Sequence, residues 1–486
     1  MKSLDILIAS LRAKVPAMHE LTRAWAEVNS FSRNVQGVNA CGDKLTEAFR
    51  LPELRLRVER GGAGSGDHLF WSTIAAEHTP PLLLIGHHDT VFPPGRFDHY
   101  HVANGRGHGP GCFDMKGGLA LIWGVLSTLS EAGALSGMPI VLASVADEEV
   151  GSLDSKPHLQ TLARQATCAL VFESGRPHDR IVTQRRGGST LRVVATGRAA
   201  HSGNAHADGA NAIWSLSRFI DAAQACTDYA RGVTVNVGLV QGGTSANTVP
   251  QDAEATVDLR FENTADAQSL IERLQQLGVD CALPGTRVEL QGGIKRLPME
   301  KTRASESLYQ EYAACQRAAG LGDGEQPLVG GGSDANTVAA VGLAAIDGLG
   351  PRGGGFHTLD EFVELDSFGP KAEALLRFLY ARQLAPSQAD SEGEETPPSK
   401  VKEPDAAGAQ PAGPGRAFWI GLGLYSVVCL VVIYGGMIRR QVQPDCSADT
   451  SCKSGFATAA SAPPRQWARG VLPVFSMSCT SATNAV

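Results

Sequence analysis

No two of the ten cysteines in this chain are spaced as CxxC, and six of them are scattered before residue 386. Such spacing argues for reduced thiols and against a disulfide framework. An excess of basic residues is missing too. With 43 Lys and Arg against 50 Asp and Glu, the net charge is -7 and the pI near 6.0, so there is no electrostatic footprint for nucleic acid. No clean apolar run opens the chain, because charges interrupt MKSLDILIASLRAKVPAM. That makes a poor signal peptide, and the catalytic part is expected to be cytoplasmic. The glycine run GGAGSG at 61–66 lacks the lysine and preceding strand of a phosphate loop and reads as an ordinary loop. What remains is a chain of 486 residues, 43% of them hydrophobic, long enough for a substantial core and more than one domain.

Within it, several apolar runs end in residues that bind divalent metals. PLLLIGHHDTV (81–91) reads as a buried parallel strand, and ligands on such sheets collect at the carboxyl ends of strands. His87 and Asp89 are one residue apart, so on an extended backbone they point the same way while His88 points away. Asp89 is then placed to orient a liganding His87. GHGPGCFDMKGG (107–118) sets Asp114 in a glycine-rich turn before the helical stretch LALIWGVLSTL, and one carboxylate can bridge two cations. PIVLASVADEEVGS (139–152) discharges a strand into Asp147, Glu148 and Glu149, whose mutual repulsion a metal pair would offset. One glutamate could bind metal while its neighbour takes a proton from water. CALVFESG delivers Glu173 in the same manner, and GPRGGGFHTLDEFV (350–363) carries His357 in a glycine-rich loop.

HHD at 87–89, GPGCFDMKGG at 109–118, DEEVGS at 147–152, FES at 172–174 and GFHTLDEFV at 355–363 follow one another in order. In this the chain resembles the dizinc metallopeptidases that include glutamate carboxypeptidase, acetylornithine deacetylase, succinyl-diaminopimelate desuccinylase and aminoacylase. The resemblance covers residues 1–385. It implies that His87 and Glu173 bind one Zn²⁺, that Glu149 and His357 bind the other, and that Asp114 bridges them, with Co²⁺ or Mn²⁺ as possible substitutes. Glu148 becomes the general base of amide hydrolysis and Asp89 supports His87. His201 in RAAHSG is implied to reach across a homodimer to stabilise the oxyanion. Asn247 in GGTSANTVP and Arg260 in DLRF are implied to bind substrate, the arginine gripping a carboxylate through its planar fork. GGGSDANTV (330–338), with Gly331 and Gly332, looks like a substrate loop.

The fold expected is α/β: a mixed-sheet catalytic domain, residues 1–186 and 297–385, interrupted by an α+β lid and dimerisation domain at 187–296. In the lid, GSTLRVVATGRAAHSG, VTVNVGLVQGG and DAEATVDLRF read as strands; GANAIWSLSRFIDAAQA and TADAQSLIERLQQL read as helices. The expected activity is cleavage of an amide or peptide bond in a small carboxylate-bearing substrate, as a glutamate carboxypeptidase does. N-acyl amino acid deacylation is the near alternative. A membrane-attached binding protein that lost its chemistry is the rival of another class, and it would be expected to lack a ligand or the base.

Beyond the domain, residues 386–416 have the composition of a disordered linker. Residues 417–438, AFWIGLGLYSVVCLVVIYGGMI, are 22 uncharged residues, enough to span a bilayer as a helix. Trp419, Arg439 and Arg440 suit interfacial anchors. The tail, 439–486, is polar and carries no readable function. The expectation is a single C-terminal span tethering a cytoplasmic enzyme, or a soluble enzyme if the extension is an artefact.

Overall fold

The computed structural model describes residues 2–384; the linker, the apolar segment 417–438 and the tail lie outside them. Five strands of the main sheet precede the insert: β1 (Leu54–Glu59), β2 (His68–Thr73), β3 (Leu82–His87), β4 (Ile140–Val145) and β5 (Cys168–Val171). Four form the insert's main sheet: β6 (Gly187–Thr196), β7 (Thr234–Gly242), β8 (Asp252–Phe261) and β9 (Arg287–Gln291). A short strand, β10 (Ala345–Ile346), follows.

The main sheet runs β1-β2-β4-β3-β5-β10 and is mixed: β3, β4, β5 and β10 are parallel, while β1 and β2 are antiparallel to their neighbours. Its strands read as continuous apolar runs because both faces are covered. Leu82, Leu84, Ile140, Leu142, Cys168 and Leu170 point into one core, and the residues alternating with them, Leu83, Ile85, Val141, Ala143, Ala169 and Val171, into another. The first core holds the helix Gly117–Glu131, which is buried along nearly its whole length. Taken with the turn before it, Cys112–Glu131 is, among the described residues, the one helical stretch long and apolar enough to cross a membrane, and here it is buried in the core.

The insert is a four-stranded antiparallel sheet, β7-β8-β6-β9, backed by helices Ala212–Gln224 and Thr264–Asp280 around a separate core of Leu191, Val193, Leu216, Phe219, Val257 and Leu259. Strict alternation of buried and half-exposed residues along β6 and β8 follows from covering one face. Two details differ from expectation. β9 was not anticipated, because its RVELQ is too short and mixed for a strand pattern. The segment RAAHSG forms only a two-residue strand, Ala200–His201, paired with Thr248–Val249.

Candidate metal centre

Three parallel strands deliver their cargo to one end of the sheet. β3 stops at His87, β4 runs into the turn that bears Glu148 and Glu149, and β5 is followed by Glu173. Asp114 enters from the loop before the central helix. That loop turns at Gly111, whose φ of 69° and close approach to Thr90 leave no room for a side chain. His357 comes from the loop before β-strand Phe362–Glu364 and itself adopts φ 62°, a conformation rarely held without surrounding support.

These side chains converge. His87 Nε2 lies 3.5 Å from Asp114 Oδ1 and 3.7 Å from Glu173 Oε1; His357 Nε2 lies 3.5 Å from Asp114 Oδ2 and 3.0 Å from Glu149 Oε2. They form two three-residue groups, His87, Asp114, Glu173 and Asp114, Glu149, His357, which share the aspartate. Donors around one tetrahedral Zn²⁺ sit about 3.3–3.5 Å apart, given bonds of about 2.0–2.2 Å. The observed separations, 3.0 to 3.7 Å, bracket that spacing. His87 Nε2 and Asp114 Oδ1 are buried and have no hydrogen-bond partner, which a donor set built for cations explains and a structural network does not. The residues therefore fit a two-cation centre.

The charges are in tension. Burial would depress His87, but Glu173, Asp114 and Asp89 outweigh it and raise it well above the usual range. His357 is lifted to about 10 by its contacts with Asp114 and Glu149. Burial pushes Glu149 up to about 8 despite His357, and pushes Glu173 well above the usual carboxylate range. Burial acts on Asp114 in the same direction, yet His357 and His87 hold it low. Three carboxylates packed this closely need positive charge among them.

Support comes from side chains that reach back to the backbone. Asp89 Oδ1 is 3.3 Å from His87 Nδ1, and Asp89 also accepts the N–H groups of Glu148 and Glu149 at 3.2 Å each and the Ser32 hydroxyl at 2.7 Å. One carboxylate thus orients the histidine and holds the acidic turn. His88 faces away, bonded to Ser144 Oγ at 2.9 Å, and burial lowers it to about 3. Sequence reasoning missed Glu361, fully buried, which accepts N–H from Gly111, Phe113 and Asp114 at 3.1, 2.9 and 3.0 Å and so fixes the Asp114 loop. Its position in HTLDE, four residues after His357, was the available signal. It also missed Arg296, whose Nη1 donates to Glu148 Oε1 at 2.8 Å and Nη2 to Ser152 Oγ at 3.0 Å.

A cleft of about 510 Å³ adjoins this centre, lined by Glu148, Glu149, His357, Arg186 and Gly332 of the catalytic domain and by Arg260, Lys295 and Arg296 of the insert. Arg260 lines it with its fork on Asp258, at 2.9 and 3.1 Å, so the ion pair and the cleft position coexist. Gly332 lies against Arg296, whose Cδ would be 2.6 Å from an added Cβ; Gly331 contributes its carbonyl to Arg185 Nη1 at 2.9 Å. His201 and Asn247 are not in this lining. Both are exposed, next to one another in the insert, with Ser202 N–H donating to Asn247 O at 3.0 Å.

A model of Peptidase family M20/M25/M40 matches residues 83–381. Carboxypeptidase G2 of Pseudomonas sp. (strain RS-16) is 26% identical over 368 residues, covering 75% of this chain and 88% of that protein. A succinyl-diaminopimelate desuccinylase of Nitrosococcus oceani is 26% identical over 338 residues, 65% of this chain and 87% of that protein. Among solved structures, a dinuclear metal binding peptidase of the M20 family from Bacillus subtilis shares the fold with a TM-score of 0.56 at 13% identity, over 77% of this chain and 99% of that one.

Proposed function

Because this chain belongs to peptidase family M20/M25/M40 and is a metal-dependent hydrolase, we propose that it cleaves an amide bond in a small substrate carrying a carboxylate, in the manner of a glutamate carboxypeptidase. The observation that carries the reading is the shared carboxylate of Asp114, one oxygen toward His87 and the other toward His357. His87, Glu173 and Asp114 would hold one cation, Asp114, Glu149 and His357 the second, with Zn²⁺ the first choice and Co²⁺ or Mn²⁺ open to the same donors. Two such cations supply an acidified water and polarisation of the amide carbonyl. Glu148 takes the proton of the attacking water and returns it to the leaving nitrogen. Arg260 and Lys295 receive the substrate carboxylate at the basic end of the cleft.

Deacylation of an N-acyl amino acid, as the desuccinylase likeness suggests, uses the same centre and reverses which side of the amide meets the basic end. We also propose a homodimer through the insert, in which His201 and Asn247 serve the partner's cleft; their exposure outside their own cleft supports this. The segment 417–438 is proposed as a membrane anchor with the enzyme on the cytoplasmic side, on the strength of its 22 uncharged residues. Recovery of the full chain in the soluble fraction without detergent would remove the anchor.

The test of the chemistry is Glu148→Ala. Turnover of N-acyl glutamates should vanish while metal content stays at about two equivalents per chain. Surviving turnover would mean that Glu148 is not the base.

A further inference from the structure

The chain enters the insert between Arg186 and Gly187 and returns along residues 296–299. These crossings run antiparallel and exchange backbone bonds at two places. Arg185 and Met299 bond each other at 3.1 and 3.0 Å, and Gly188 and Arg296 at 2.9 and 3.1 Å. In a regular antiparallel ladder such mutual pairs recur at every second residue. Here they fall three residues apart on each crossing, and Pro298 inside the gap has no N–H to give. The ribbon joining the two domains therefore has a hole in its ladder.

One side chain fills it. Asn336 Nδ2 donates to Arg186 O at 3.2 Å and to Leu297 O at 2.9 Å, one carbonyl from each crossing. Its Oδ1 accepts the Ser333 N–H at 3.0 Å, so the partners fix which end of the amide is nitrogen. Asn336 is fully buried, where an unmade bond to either carbonyl would be costly. The same side chain belongs to the glycine-rich loop beside the cleft. Ser333 Oγ and Arg185 Nε both donate to Asp347 Oδ2 at 2.6 Å, and Arg185 Nη1 holds Gly331 O. Both crossings and the loop are thus bonded into one unit.

We propose that Asn336 is a positioning residue, the pin of the joint between insert and catalytic domain, and that by fixing the joint's angle it sets the length of substrate the cleft accepts. The length claim rests on the cleft reading given above. Arg260 stands on the insert side of the joint, and Glu149 and His357 on the catalytic side. Any change of angle alters the span between carboxylate anchor and scissile amide. Loss of the amide donors loosens that span and leaves the metal ligands in place.

The experiment uses the zinc-loaded full chain with Asn336→Ala, and Asn336→Asp, which keeps size and the acceptor for Ser333 and loses both donors. Amide hydrogen exchange at Gly188, Arg296 and Met299 should speed up about tenfold or more, with amides of β3 to β5 unchanged. Kinetics on N-benzoyl aspartate, glutamate and aminoadipate, which step by one methylene, should show the best-to-worst ratio of kcat/KM falling about tenfold, with KM moving more than kcat. Unchanged exchange at the crossings overturns the pin. Faster exchange with an unchanged length ratio overturns the substrate claim. If the parent enzyme cleaves none of the three, the cleft reading falls and takes the length claim with it, while the pin still stands or falls on exchange.

Discussion

Arg296 and Glu148, 148 residues apart in sequence, meet at 2.8 Å with both side chains largely buried. The arginine lies on the returning crossing from the insert and the glutamate on the turn after β4, so the contact ties the acidic turn to the joint between the two domains. Glu148 is thus held by a guanidinium that lines the same cleft.

Arg296→Lys tests how much of this depends on shape. A lysine keeps the charge but presents one nitrogen in place of the two, Nη1 and Nη2, that meet Glu148 Oε1 and Ser152 Oγ separately. We expect kcat/KM to fall by about tenfold to a hundredfold, with metal content unchanged. Steady-state kinetics with metal analysis on the same preparation checks both halves; metal loss would assign Arg296 to holding the centre together.

Asp114→Asn separates a bridging carboxylate from a terminal one. Each Asp114 oxygen faces a different histidine, whereas Glu173 contacts only the His87 side. Asp114→Asn should drop bound zinc from about two equivalents to well below one, and Glu173→Gln should leave about one. Chelator treatment of the parent should abolish turnover, and Zn²⁺, Co²⁺ or Mn²⁺ should restore it. Equal stoichiometries in the two variants would count against the shared position.

Much of the centre was legible because its residues sit where apolar runs stop. His87, Asp114, Glu149, Glu173 and His357 each close a short motif, and parallel pairing of β3, β4 and β5 carries three of those ends to one place. What escaped are residues that act on distant backbone. Glu361 bonds to N–H groups 247 to 250 positions earlier, and Asn336 to carbonyls 150 and 39 positions away. A backbone N–H or carbonyl leaves no mark in the side-chain pattern, so nothing in one sequence pairs it with the side chain that meets it. His68 is hidden likewise: fully buried, it accepts the Ala146 N–H at 3.1 Å and contacts Asp154 at 3.1 Å, bracketing the acidic turn from both sides.

Leu239 bears on the proposed dimer. It is 70% exposed and Val240 65% exposed, both on β7, the outer strand of the insert's sheet. An apolar, unpaired edge invites another strand. Leu239→Lys should weaken dimerisation about tenfold or more in sedimentation experiments. If His201 serves the neighbouring cleft, activity should fall in step with the dimer fraction. Parent protein that sediments as a monomer at assay concentration would end that reading.

Lys371 gives a stability prediction with a definite sign. Its ammonium is fully buried on the helix Phe368–Leu384, with no hydrogen-bond partner and Asp179 Oδ1 at 3.5 Å. Burial lowers it from the ordinary 10.5 to about 8, against the pull of Asp179. Below pH 8 folded and unfolded chains both carry the proton, and the cost of the buried charge is fully present. Between pH 8 and 10.5 the unfolded chain binds more protons, so this lysine's share of stability rises with pH. Lys371→Met keeps the aliphatic stem and removes the charge, and Asp179 retains Arg352 Nη1 at 3.3 Å. At pH 7 the variant should be the more stable by on the order of 2 kcal/mol, and its advantage should shrink as pH rises from 8 toward 10.5. Denaturant unfolding of both proteins across that range reads the difference directly, and charges common to the two cancel. A variant less stable at pH 7, by an amount that does not vary with pH, would show that the Asp179 contact outweighs the burial of the ammonium.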